Sequence, residues 1–135
     1  MLYDLESIFS DNQAVTTTAT STNVIRMGKG QLKEVSYGTP TPLRIQVTED
    51  FVGCTSIDFE VQTATDAAFT TPVSLVKTGA IAVASLKAGY VAPINFIPKG
   101  NLGFMRTKYT VVGTATAGKI TAGIVGGNDG SFQDF

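Results

Sequence analysis

The chain has 135 residues, a formal net charge of −1, 43% hydrophobic residues and 16% charged ones, against about a quarter charged in ordinary globular domains. It has no histidine and a single cysteine, which excludes zinc sites of the His/Cys type, a histidine general base and an intrachain disulfide. The near-neutral charge leaves no global field to draw the chain to nucleic acid or anionic lipid, and no apolar run approaches the roughly 20 residues of a membrane helix.

Threonine and glycine fill the gap left by charge, with 19 and 14 residues. Threonine is β-branched and suits a pleated surface, while frequent glycine discourages long helices. An all-β protein is the first expectation.

Residues 1–12 carry Leu2, Leu5, Ile8 and Phe9 at roughly helical spacing. The segment is too short for a stable isolated helix, so it reads as a docked first turn or as an arm. Asp4 and Glu6 interrupt any basic-then-apolar order, so no signal peptide is expected and synthesis in a cytoplasm follows. The Thr-rich run from Gln13 to Asn23 leads into a short strand, Val24–Met27, and a turn at Gly28-Lys29-Gly30. Leu32–Val35 reads as another short strand, and Pro40 and Pro42 keep Tyr37–Pro42 out of a central strand.

Leu43–Thr48 alternates apolar and polar, as does Ser56–Gln62, where Ile57, Phe59 and Val61 oppose Asp58, Glu60 and Gln62. That period of two marks strands with one buried face. Glu49–Gly53 between them reads as a loop. Thr63–Pro72 also reads as a loop, with Phe69 its anchor on the sandwich and Asp66 at its tip, offered to a neighbour. Val73–Lys77 and Ala80–Leu86 follow as strands, and the proline-bracketed Val91–Pro98 suits a sheet edge. Phe104–Val112 is the longest strand, Gly113–Gly118 a turn, and Lys119–Val125 the closing strand. The expectation is a jelly-roll-like β-sandwich of about eight antiparallel strands spanning 13–126, flanked by an N-terminal arm (1–12) and a C-terminal tail (127–135).

Four patterns invite chemistry. Gly113 to Lys119 matches most of a phosphate loop, but residue 120 is Ile and no helix follows, so a hairpin turn is the better reading. Gly126-Gly127-Asn128-Asp129-Gly130 resembles one copy of a calcium-binding repeat that needs stacked copies. Asp58 and Glu60 share a strand face about 7 Å apart, which reads as a solvated or partner-facing row. Arg44, Arg106 and Lys108 would make a basic patch, with no aromatic alternating beside them to stack bases. Cys54 has no histidine to lower its pKa and reads as inert packing. No cofactor, metal or catalytic residue is expected, and the chain reads as a non-enzyme.

The chain resembles the cement, or decoration, proteins of short-tailed bacteriophage capsids. The likeness runs through Leu2, Asp4, Ile8-Phe9-Ser10-Asp11, Gln13–Thr16, Ser21–Ile25, Gln62–Pro72, and the Tyr90–Pro98 stretch leading into Met105–Tyr109. It implies a jelly-roll-like domain on the exterior of an icosahedral shell. There a symmetric homo-oligomer, dimer or trimer, would bridge neighbouring copies of the major capsid protein, with no nucleic acid or membrane as partner. Leu2, Leu5, Ile8, Phe9, Asp66, Phe132 and Phe135 are the candidate contact residues, and removal of 1–12 is expected to lower shell occupancy without unfolding the domain. The alternative is a carbohydrate-binding jelly roll that presents exposed tyrosines to host glycans, with Tyr3, Tyr37 and Tyr90 available and Tyr109 in the core.

Overall fold

The computed structural model describes residues 3–26 and 41–125. Six strands run in the order β1 (Tyr3–Ala14), β2 (Ala19–Thr20), β3 (Ile25–Arg26), β4 (Leu43–Ala64), β5 (Val73–Ala82) and β6 (Phe104–Val125). No α-helix occurs among the described residues. All pairings are antiparallel, in a sheet of order β1-β6-β4-β5 with β2 and β3 also on β6.

The organising element is the ribbon of β4 and β6, each 22 residues long. One half of the ribbon pairs Leu43–Glu49 with Lys119–Ile124, and the other pairs Ser56–Ala64 with Phe104–Val112. Between them the register shifts four times, and Gly53 and Gly113 take positive φ at the bend. Bulges of this kind let a strand turn sharply without ending. The loop expected at Glu49–Gly53 and the turn expected at Gly113–Gly118 are therefore both strand. With Val73–Lys77 and the start of Ala80–Leu86 likewise joined in β5, the described residues hold six strands where about eight were expected of the domain.

Each half of the ribbon gains its own flanks. β1 covers the Lys119–Val125 side. On the far side, residues 89–97 bond to β4 through Gly89, Tyr90, Ala92 and Asn95. Pro93 interrupts that strip, so the expected Val91–Pro98 strand is reduced to isolated bridges, Pro42 with Phe96 and Gln46 with Val91. The other half is flanked by β2 and β3 on one side and by β5 on the other. β5 ends at Ala82 in a 3-10 turn, Val83–Ser85, where the sequence suggested strand through Leu86.

Side chains from both halves meet in one apolar cluster that includes Phe9, Leu43, Ile45, Ile57, Phe59, Leu86, Met105, Tyr109 and Ile120. The result is an all-β, sandwich-like fold. Phe59 and Tyr109 meet edge to face, with ring centroids 5.9 Å apart, a favoured aromatic geometry.

A buried polar chain ties β1 into this core. The Tyr109 hydroxyl lies 2.8 Å from Ser10 Oγ and 2.8 Å from Thr107 Oγ1, and all three residues are fully buried. Ser10 Oγ donates to Gln13 Oε1 at 2.7 Å, which also accepts from the Thr22 backbone N–H. Leaving buried hydroxyls without a partner costs about 1–3 kcal/mol. Tyr109→Phe is accordingly expected to lower unfolding free energy by about that amount in urea titration, while a loss near zero would mean that water replaces the phenol.

The helical spacing of the N-terminus is not realised. Residues 3–14 form β1, and three register shifts along its pairing with β6 break simple alternation, so Ile8, Phe9 and Ser10 are buried in succession. Ile8 and Phe9 are core residues, not a free arm. Leu5 lies within β1. Leu2, Leu32–Val35, Tyr37, Phe132, Phe135 and the 127–135 tail lie outside the described residues.

Candidate interaction surface

The face of β4 opposite the core carries Asp58, Glu60 and Gln62. Glu60 stands in register with Lys77 on β5 and Lys108 on β6, and Gln62 with Ser74 and Arg106. Within this row, read from the alternation as solvated or partner-facing, Glu60 and Gln62 are only 5% and 6% exposed. Arg106 and Lys108 lie on this half of the ribbon, whereas Arg44 pairs with Gly123 in the other half. The basic patch read from sequence is therefore divided.

The loop between β4 and β5 folds back beside this face. Thr63 Oγ1 donates to the Phe104 carbonyl at 2.8 Å and accepts from the Leu102 N–H at 2.9 Å, which fixes the point of departure. Asp66 then closes the loop internally. Its carboxylate accepts from Thr70 Oγ1 at 2.7 Å and from the Thr70 N–H at 3.3 Å. Its carbonyl accepts from the Phe69 N–H at 3.2 Å. Such local bonds from aspartate stabilise turns. Asp66 thus holds the loop shape, and the exposed tip is Thr65, Ala67 and Ala68.

That shape carries Phe69, at φ 53°, down to the sheet, as expected of an anchor. Phe69 is buried, and the Arg106 guanidinium carbon stands 4.2 Å from its ring centroid, within cation–π range. Arg106 Nε donates to Gln62 Oε1 at 2.9 Å. Gln62 Nε2 in turn donates to the Glu60 carboxylate at 3.2 and 3.4 Å, which fixes the amide with its oxygen toward Arg106. Burial draws the Arg106 pKa below the ordinary arginine value, and the Glu60 charge opposes that shift. The stack on Phe69 and the bond to Gln62 went unseen in the sequence, because 44 residues separate Gln62 from Arg106 and only the β4–β6 register brings them together.

β5 is the outermost strand of this half. Among the described residues, no backbone bond from another segment reaches its free edge. It carries one charge, Lys77, and Val73 is 43% exposed. Sheet edges of this kind accept an added strand unless charge, proline or a bulge blocks them. The strip at 89–97 is blocked by Pro93. β5 has no proline and a single charge, Lys77, with the positive-φ Gly79 two residues on, so most of its edge stays open to an added strand.

The residues that resembled a phosphate loop lie within β6, and Lys119 Nζ pairs with Glu49 at 3.7 Å. Among the described residues no group of three or more His, Cys, Asp or Glu could hold a metal ion. No described helix is long and apolar enough to cross a membrane.

No curated protein matches the chain. A family model described as Bbp16 matches residues 9–124, from the middle of β1 to the penultimate residue of β6, and a match to this family is consistent with a bacteriophage protein. With most of its length covered by that match, the chain belongs to the Bbp16 family.

Proposed function

We propose that the protein is a structural virion component that seats on the outside of an icosahedral phage capsid and clamps neighbouring major capsid subunits. The observation that carries this reading is the pairing of an open edge strand, β5, with a rigid internally bonded loop, Thr63–Pro72, at one end of it. Family membership consistent with a phage protein supports it.

The long ribbon suits a clamp. β4 and β6 run through both halves of the domain, so tension across the molecule loads the backbone bonds that pair these two strands. On a lattice, a symmetric dimer or trimer presents more than one such contact. Once one contact is seated, the next binds at high effective concentration. Separation of two capsid subunits would then require detachment of the clamp.

The test is to add purified protein to capsid shells assembled without it and to measure bound stoichiometry by sedimentation. Light scattering of the free protein should give a discrete dimer or trimer. Saturable binding and a higher disruption temperature for decorated shells are the expected results. Protein that stays in the supernatant at micromolar concentration, with shells both before and after expansion, would overturn the proposal.

A further inference from the structure

We propose that Arg106, with Lys108 beside it, forms a preorganised receptor for a carboxylate side chain on an acidic segment of a partner protein. Three restraints hold the guanidinium. Its central carbon stands 4.2 Å from the Phe69 ring centroid, Gln62 accepts from Nε at 2.9 Å, and Glu60 fixes the Gln62 amide from behind. What these restraints leave is the outer edge of the fork. Among the described residues, neither terminal nitrogen of Arg106 has a hydrogen-bond acceptor. A planar fork with its side-chain entropy already removed is suited to bidentate binding of a carboxylate.

The surroundings select for an anion. Among the described residues, Lys108 and Lys77 form no ion pair. Arg26 pairs across to Phe104 and is exposed. Phe104, Arg106 and Lys108 share one face of β6 by alternation. Asp58 and Glu60 lie on the same sheet face and keep it from being uniformly positive. A nucleic-acid backbone gains most from a continuous cationic track, which these two carboxylates interrupt, and the buried Phe69 carries the guanidinium on its ring. One carboxylate needs only the fork and a neighbouring ammonium.

The partner is expected on a capsid shell, a point that rests on the proposed function, but the site can be tested without one. The full-length protein, labelled with nitrogen-15, is titrated with acetylated tetraglutamate, and in a second arm with a short oligothymidylate. The Arg106 Nε–H resonance and the Lys108 amide should shift saturably with the glutamate peptide. Arg106→Lys keeps the charge but loses the planar fork, and its affinity for the peptide should fall at least fivefold. Three results would overturn the site: an Arg106 signal unmoved in the unmutated protein, equal affinity in the folded lysine variant, or tighter binding of the oligonucleotide at the same resonances. Failure of shell binding with a responsive Arg106 would instead refute the proposed function and support the carboxylate site.

Discussion

Gly118→Ala is expected to be among the most destabilising single substitutions in the chain. Gly118 has φ 138°, a region that side chains avoid, and a methyl group there would fall inside the Phe51 ring. Phe51 has little room to yield. It is 1% exposed, and its N–H donates to the Leu86 carbonyl at 3.0 Å. Gly118 itself donates to Glu49 Oε1 at 3.1 Å and accepts from the Val15 N–H at 3.2 Å, so a shift of its backbone would disturb three segments together. A strained backbone conformation costs about 1–3 kcal/mol. Overpacking costs about as much again, for a total of roughly 2–6 kcal/mol out of the 5–15 typical of a domain. Urea unfolding measures this directly. The two causes separate in a Phe51→Ala background, where Gly118→Ala should cost only the backbone part. A loss below about 1 kcal/mol in the otherwise unmutated protein would show that the ring moves freely.

The same glycines explain what the sequence could and could not reveal. Strand faces at Leu43–Thr48, Ser56–Gln62 and Phe104–Val112 were legible because each keeps strict alternation against a buried layer. Gly113-Thr114-Ala115-Thr116-Ala117-Gly118 looked like a turn because glycine marks turns and bulges alike. Only pairing with β4 distinguishes them. Val47 pairs with Ile120 and Ile57 with Val111, so nine intervening residues of one strand face eight of the other, a mismatch absorbed within the strands. Phe69 was legible as an anchor from its isolation among small residues. Its stack on Arg106 was not, because it depends on a register between strands far apart in the chain. Asp66 was legible as a residue of the Thr63–Pro72 loop, but its bond to Thr70 was not, because the closure of the loop leaves no periodic pattern in the sequence.

Removal of residues 1–12 is expected to abolish folding, not to trim a contact. The deletion takes away Phe9, fully buried in the central cluster, whose truncation to alanine alone should cost about 3–5 kcal/mol. It also removes Ser10 from the Tyr109 hydroxyl, and it strips the β1 residues that pair with Val125, Gly123 and Ala122 of β6, leaving an open edge over the core. Together these losses match or exceed the whole stability of a typical domain. Circular dichroism and proton NMR should show an unfolded or aggregated chain, and a dispersed, native-like spectrum from the truncated protein would refute this placement of β1. The consequence for function is direct. Loss of shell occupancy after this deletion would carry no information about an arm, because an unfolded clamp cannot bind either. A contact test must therefore leave the core intact. Arg106→Lys meets that condition, since it retains the charge and keeps β1, Phe9 and the Tyr109 chain in place.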